Sequence, residues 1–319
     1  MNADKAIAPE KPVRLVFIHH SSGENWLADN NGGLGIALEK NNYFVSDTNY
    51  NWGPNKVGNR TDIGHWWEWF CDPQRSPEIL TALFNEDGQN APYSRTILPP
   101  ASENEIVLFK SCFPNSNLRG NPLAPAPPFH RNSIRGQQAA RLPPKSKMTS
   151  QYLIYVLKYV IKFTLGKGKR ELAYTVANAK GMYIELLKCF EKHPNKLFVV
   201  ITAPPLLYSA TASNARAFNQ WLVHDWLKNY PLKNVAVFDY FNVLTTNGGR
   251  PDVNDEGQES GNHHRWWNGT VQHQADWRFN LLAYPTQDHH ANSAGNQKAT
   301  AEFVPLLNVF YWRWKNSMT

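Results

Sequence analysis

The sequence predicts an α/β sandwich built on parallel strands, and three observations carry that prediction. Five short runs rich in β-branched and aromatic residues are apolar almost throughout, as strands covered on both faces must be. They are RLVFIH (14–19), YFVSDT (43–48), EIVLFKS (105–111), KLFVVITA (196–203) and NVAVFDY (234–240). Stretches of helical period lie between them, and strand–helix–strand alternation implies crossovers that join parallel strands. The 319 residues are 42% hydrophobic and 18% charged, so the chain can bury a sizeable core and is not a disordered composition.

Taken in order, GGLGIALEKN (32–41) is a short helix after the first strand. TDIGHWWEWF (61–70) starts at Asp62 near the N-cap and carries Trp66, Trp67 and Trp69, which pack the sheet. ELAYTVANAKGMYIELLKCFEKH (171–193) is a long amphipathic helix, and NARAFNQWLVHDWLKNY (214–230) is another, stopped by Pro231. NQKATAEFVPLLNVFYWRWK (296–315) closes the chain, and Pro305 is expected to kink or break it. The rhythm fails between 117 and 170, where Pro-rich stretches precede an apolar helix candidate interrupted only by Lys158 and Lys162. That candidate is too short to span a bilayer. The expectation is one domain over 1–319 with an insertion at 117–170. Its part from 150 to 168 is either packed down or serves as a lid, an oligomer contact or a membrane-surface helix.

Charge narrows the partners. The formal net charge is +7, but residues 119–170 hold 11 of the 33 Lys and Arg and no Asp or Glu, which leaves 22 basic against 26 acidic elsewhere. The basicity is one local segment, which does not suit a nucleic-acid binder. No phosphate-binding glycine motif and no internal repeat is present. Three cysteines without CxxC or CxxH spacing give neither a zinc site nor a disulfide framework, though one bridge stays open. The first 12 residues lack the apolar core of a signal peptide, so the chain is read as cytoplasmic or as a mature secreted or periplasmic form.

In parallel α/β sheets ligands bind beyond the carboxyl ends of the strands. HHSSGENW follows the first strand there, SCFPNSN the third and PPLLYSA the fourth. Near the end of the chain, YPTQDHHANSAGNQKA (284–299) places Asp288 two residues before His290 ahead of a helix. A histidine oriented by a carboxylate can take the proton of a serine hydroxyl. Asn115 stands just past the third strand, where an amide could serve an oxyanion.

These blocks, in this order, resemble the SGNH hydrolases of the GDSL esterase and lipase superfamily. FIHHS stands where the family has GDS, SCFPN where it has GxND, and DHH, five residues ahead of Gly295, where it has DxxH. The resemblance spans about 270 residues, and no single block is a strong motif. It implies a three-layer α/β/α sandwich, flavodoxin-like, with about five parallel strands. It also implies an acyl-serine esterase that needs no cofactor: Ser21 as nucleophile, His290 as base, and an oxyanion hole of Ser21 N–H, Gly58 N–H and Asn115. Gly64 is the alternative to Gly58. HHS departs from GDS, which leaves Ser22 as a rival at the turn. DxH departs from DxxH: Gln287 stands at the family's carboxylate position, so Asp288 is the partner and Asp276 the weaker alternative.

Residues expected to line the substrate are His20, Glu24 and Trp26 beside the nucleophile, and His264, Arg265 and Trp266 in ESGNHHRWWNGTVQH (259–273). With 12 tryptophans in the chain, the expected substrate is a small-molecule or polysaccharide O-acyl ester, an acetyl ester first, with a long-acyl ester as alternative. A non-catalytic carbohydrate-binding protein on a degenerate scaffold is the competing class. His19, His20, His263, His264, His289 and His290 also raise a metal site, but neighbouring histidines on a strand point to opposite faces. No metal is expected.

Overall fold

A computed structural model describes residues 6–139, 173–245 and 263–318. The helix expected at 150–168 lies outside the described residues, as does most of the inserted segment from 140 onward.

A five-stranded parallel sheet runs through the molecule in the order β2-β1-β3-β4-β5. Its strands are β1 (Val13–Ile18), β2 (Tyr43–Thr48), β3 (Ile106–Lys110), β4 (Leu197–Ile201) and β5 (Val235–Phe238). The register sets Phe17 opposite Asp47 on one side and Leu108 on the other, so the carboxyl ends of β1, β2 and β3 finish side by side. Every residue of these strands is buried.

The helices divide by face, giving three layers. Leu15, Phe17, Val45, Leu108, Val199 and Phe238 point to the side covered by α1 (Ser21–Leu27), α2 (Leu34–Glu39), α7 (Tyr240–Thr245) and α8 (Ser293–Lys315). Val16, Ile18, Val107, Phe109, Val200 and Val237 point to α3 (Trp66–Phe70), α4 (Ser76–Asn85), α5 (Val176–Phe190) and α6 (Ala212–His224). The two-residue period of the strand puts neighbours on opposite faces, which is why apolar runs without alternation were needed. Each fully buried Val, Leu or Phe contributes roughly 1.5–3 kcal/mol against exposure.

Three local findings refine the sequence reading. Helix α8 runs through Pro305 without a break. The carbonyl that loses its donor there belongs to the exposed Ala301, so water can satisfy it. The segment 263–274, given no element from sequence, is an antiparallel hairpin, β6 (His263–Trp267) and β7 (Thr270–Gln274), turned at Asn268 and Gly269, both at positive φ. Cys71, just past α3, is bridged to Cys189 of α5, which ties two helices of the same layer together. Among the described residues no helix is long and apolar enough to cross a membrane.

Candidate active site

The geometry starts with the turn after β1. His19 is fully buried; its Nε2 faces Asp47 Oδ2 at 2.9 Å and its Nδ1 faces the His20 carbonyl at 2.9 Å. The same carbonyl accepts from Gly23 and Glu24 N–H as α1 begins. Ser21 and Ser22 therefore occupy the first positions of a helix that starts at the sheet's carboxyl edge.

Their environments separate them. Ser22 is only 4% exposed. Its Oγ accepts from Lys110 Nζ at 2.6 Å and lies 3.2 Å from Cys112 Sγ. Ser21 is partly exposed, and its Oγ lies 3.0 Å from His290 Nε2. His290 Nδ1 lies 2.8 Å from Asp288 Oδ1. A nitrogen facing a carboxylate carries the hydrogen, which leaves Nε2 to accept from the Ser21 hydroxyl. Ser21 and His290 stand 269 residues apart in the sequence.

Short-range bonds hold the histidine loop. Asp288 Oδ1 accepts from the His290 main-chain N–H at 2.9 Å and from Thr286 Oγ1 at 3.0 Å, besides the ring. Burial pushes the Asp288 carboxyl up, and these bonds outweigh it, so the group is held below its usual range. Asn292 caps α8 by accepting from Gly295 N–H at 3.0 Å, and its own N–H donates to the Tyr284 carbonyl. The Phe113 ring stands edge-on to His290 with centroids 5.2 Å apart. His289 is turned the other way. Its Nδ1 accepts from Leu207 N–H, burial lowers its affinity for a proton, and Tyr208 and Phe113 pack on it.

The oxyanion residues named from sequence do not have free donors. Gly58 N–H donates to the Trp52 carbonyl at 2.9 Å, and its own carbonyl accepts from His20 Nε2. A Cβ at Gly58 would stand 2.2 Å from the Asn49 carbonyl oxygen, so this glycine is required for chain approach. Gly64, the alternative, is no freer: its N–H faces the Tyr174 hydroxyl at 3.4 Å. The Asn115 side chain is 1% exposed, and its amide donates to Asp62 Oδ1 and to the Cys112 carbonyl at 3.1 Å, while its oxygen accepts from Ile63 N–H.

The expected substrate walls also need correction. Trp26 is fully buried, stacked on Tyr240 at 4.6 Å with its Nε1 donating to Thr300 Oγ1. It lies five residues after Ser21, roughly 140° around the helix, and so faces the core. Glu24 accepts from Asn49 Nδ2 at 3.0 Å. His264 and Arg265 are buried in the hairpin, which is anchored on Asp239 beyond β5. His264 Nδ1 accepts from Asp239 N–H at 2.8 Å, His273 Nε2 bonds the Asp239 carboxylate at 2.9 Å, and Arg265 lies over Trp267. Trp266 packs against the core cluster of the α8 face. Asp276, the alternative to Asp288, pairs with Arg278. Of the expected set only His20 stays beside Ser21, stacked on Tyr50 with centroids 4.0 Å apart.

Sequence reasoning missed Tyr50, Thr286, Phe113 and the Lys110–Ser22–Cys112 chain. Only Cys112 had a signal, its place three residues before Asn115. Among the described residues no three His, Cys, Asp or Glu side chains gather in a metal-binding arrangement. Comparison with protein-family models, curated proteins and solved structures finds no match.

Proposed function

We propose that the chain is a serine ester hydrolase of the SGNH kind that removes a small acyl group, acetyl first, from an oxygen of a carbohydrate or similar alcohol. The observation that carries this reading is the continuous chain Ser21 Oγ, His290 Nε2, His290 Nδ1, Asp288 Oδ1, with contacts of 3.0 and 2.8 Å.

The chemistry follows from that chain. His290 Nε2 takes the Ser21 proton as Oγ bonds the ester carbonyl carbon, and the carbonyl π pair moves to oxygen. When the pair returns, the bond to the leaving alkoxide breaks and His290 gives it the proton. Water, deprotonated by His290, then bonds the acyl carbon, and as the bond to Ser21 Oγ breaks His290 returns the proton to Oγ. Asp288 faces the imidazolium formed at each step. Cys112 Sγ at 3.9 Å from Ser21 Oγ and Phe113 against His290 crowd the nucleophile, which supports a small acyl group. The Cys71–Cys189 bridge supports work in an oxidising compartment.

The test is turnover of p-nitrophenyl acetate by wild type, Ser21→Ala and His290→Ala, with p-nitrophenyl decanoate alongside. The expectation is that both variants lose at least about 10³-fold in kcat and that acetate is preferred over decanoate. A Ser21→Ala variant as active as wild type refutes the assignment. The engagement of Gly58 and Asn115 elsewhere favours one second reading, a carbohydrate-binding protein without turnover. Saccharide binding by a wild type that hydrolyses neither ester would establish it.

A further inference from the structure

The proposed reaction leaves one buried histidine at the turn after β1 without a task. His19 and Asp47 are both fully buried, at the carboxyl ends of the neighbouring strands β1 and β2. Both ring nitrogens of His19 meet oxygens. Nε2 lies 2.9 Å from Asp47 Oδ2, and Nδ1 lies 2.9 Å from the His20 carbonyl oxygen. A main-chain carbonyl has no hydrogen to give, so Nδ1 carries one. The other Asp47 oxygen, Oδ1, accepts from Asn90 N–H at 2.8 Å and lies 3.1 Å from the Tyr93 hydroxyl. A second hydrogen is then required between Nε2 and Oδ2, because two bare lone pairs at that distance repel. A neutral imidazole has a single N–H and cannot fill both places. The second proton also leaves the pair without net charge, where an unpaired buried carboxylate would be costly.

The fold makes room for this ring. Gly23 passes directly over it: a Cβ there would stand 2.4 Å from His19 Cβ and 2.7 Å from Cγ, so only glycine allows the approach. The Phe17 ring packs on it with centroids 4.9 Å apart. What His19 holds is the His20 carbonyl. That oxygen also accepts from Gly23 N–H at 2.7 Å and from Glu24 N–H at 3.0 Å, the bonds that open α1. The same carbonyl belongs to the planar peptide that ends at Ser21, so holding the oxygen fixes where the Ser21 Cα stands. From that Cα the hydroxyl reaches His290 Nε2 at 3.0 Å.

We propose that His19 is a positioning residue for Ser21: it carries a hydrogen on each ring nitrogen and clamps the His20 carbonyl, and with it the peptide leading to Ser21, to Asp47 of β2. The inference rests on the Ser21–His290–Asp288 reading.

Two experiments test it. In wild-type protein carrying isotope-labelled histidine, nitrogen NMR at neutral pH should show the His19 ring, identified by its loss in His19→Asn, with a hydrogen on both nitrogens. A single hydrogen on that ring overturns the proposal. The second experiment compares His19→Leu with His19→Asn. Both take the donor away from Asp47 and share whatever that costs in stability. They differ in one bond, because the Asn amide can still reach the His20 carbonyl from the place of Nδ1. The expected result with p-nitrophenyl acetate is a fall in kcat of roughly 10²-fold for His19→Leu and of less than about tenfold for His19→Asn, with KM within about threefold of wild type in both. Equal losses in the two variants, or a change in KM in place of kcat, overturn the positioning role. If neither variant folds, the hydrogen count on the wild-type ring decides alone. Ser21→Ala in the same assay separates the two readings. If it is inactive, the serine assignment survives a failure of the His19 variants; if it is active, the serine assignment and the positioning role fall together.

Discussion

Two substitutions at Asp288 separate the charge of the carboxylate from its shape. A single oxygen, Oδ1, accepts from His290 Nδ1 at 2.8 Å, from the His290 N–H at 2.9 Å and from Thr286 Oγ1 at 3.0 Å. Asp288→Asn can place its amide oxygen at the same point. It keeps the tautomer that leaves Nε2 to accept from Ser21 and loses only the charge that faces the imidazolium. Hydrogen bonds to charged groups contribute about 1.5–3 kcal/mol. The Asp288 side chain is 51% exposed, so solvent screening puts the loss near the lower end, about tenfold in kcat/KM. Asp288→Ala removes both the orienting bonds and the charge, and a loss of roughly 10²–10³-fold is expected. Steady-state kinetics with p-nitrophenyl acetate at pH 8 reads both. An alanine variant within twofold of wild type would refute the orienting role, and an asparagine variant worse than the alanine would refute the claim that Oδ1 alone does the work.

Two further outcomes follow from the fold. Reducing Cys71–Cys189, or replacing both cysteines with alanine, opens a loop of 118 residues and should cost about 4–5 kcal/mol by the chain-entropy model. Urea unfolding with and without dithiothreitol measures it, and an unchanged midpoint would show that the bridge does not form. His20 is held neutral, its pKa lowered from 6.5 to about 4, first by burial and, against the raising effect of its Gly58 bond, by Lys110. The unfolded chain therefore binds more protons than the folded one below pH 6.5. This contribution is fully present above 6.5 and is lost as pH falls towards 4, about 2–3 kcal/mol by pH 4.5. His20→Asn should flatten the stability profile over that range, although His65, His264 and His289, shifted in the same direction, keep part of the slope.

The sheet was legible because a strand covered on both faces has to be apolar at every position, and the five runs that form β1 to β5 are. Helix α4 was missed although Ile79, Leu80, Leu83 and Phe84 make one apolar face, because it is short and sits among Pro and acidic residues. The hairpin β6–β7 carried a plain signal in Asn268–Gly269 between two polar-aromatic runs. Its His, Arg and Trp residues drew attention to chemistry instead of to pairing. Ser21, Asp288 and His290 could be named because strand ends and a DxH spacing limit where such residues stand. The engagement of the expected oxyanion residues could not be read there. A glycine can be required for chain approach, as Gly58 is, and a buried asparagine for bonding its neighbours, as Asn115 is, with no trace of the difference in sequence. Tyr50 is marked by its stacking on His20 and not by any motif.

Labelling with a fluorophosphonate, followed by proteolysis and mass spectrometry, tests whether Ser21 is the nucleophile and His290 its base. One adduct per chain is expected, on Ser21, formed by wild type and lost in His290→Ala while Ser22→Ala still labels. An adduct on Ser22 or another residue, or no adduct in a preparation that hydrolyses p-nitrophenyl acetate, would contradict it.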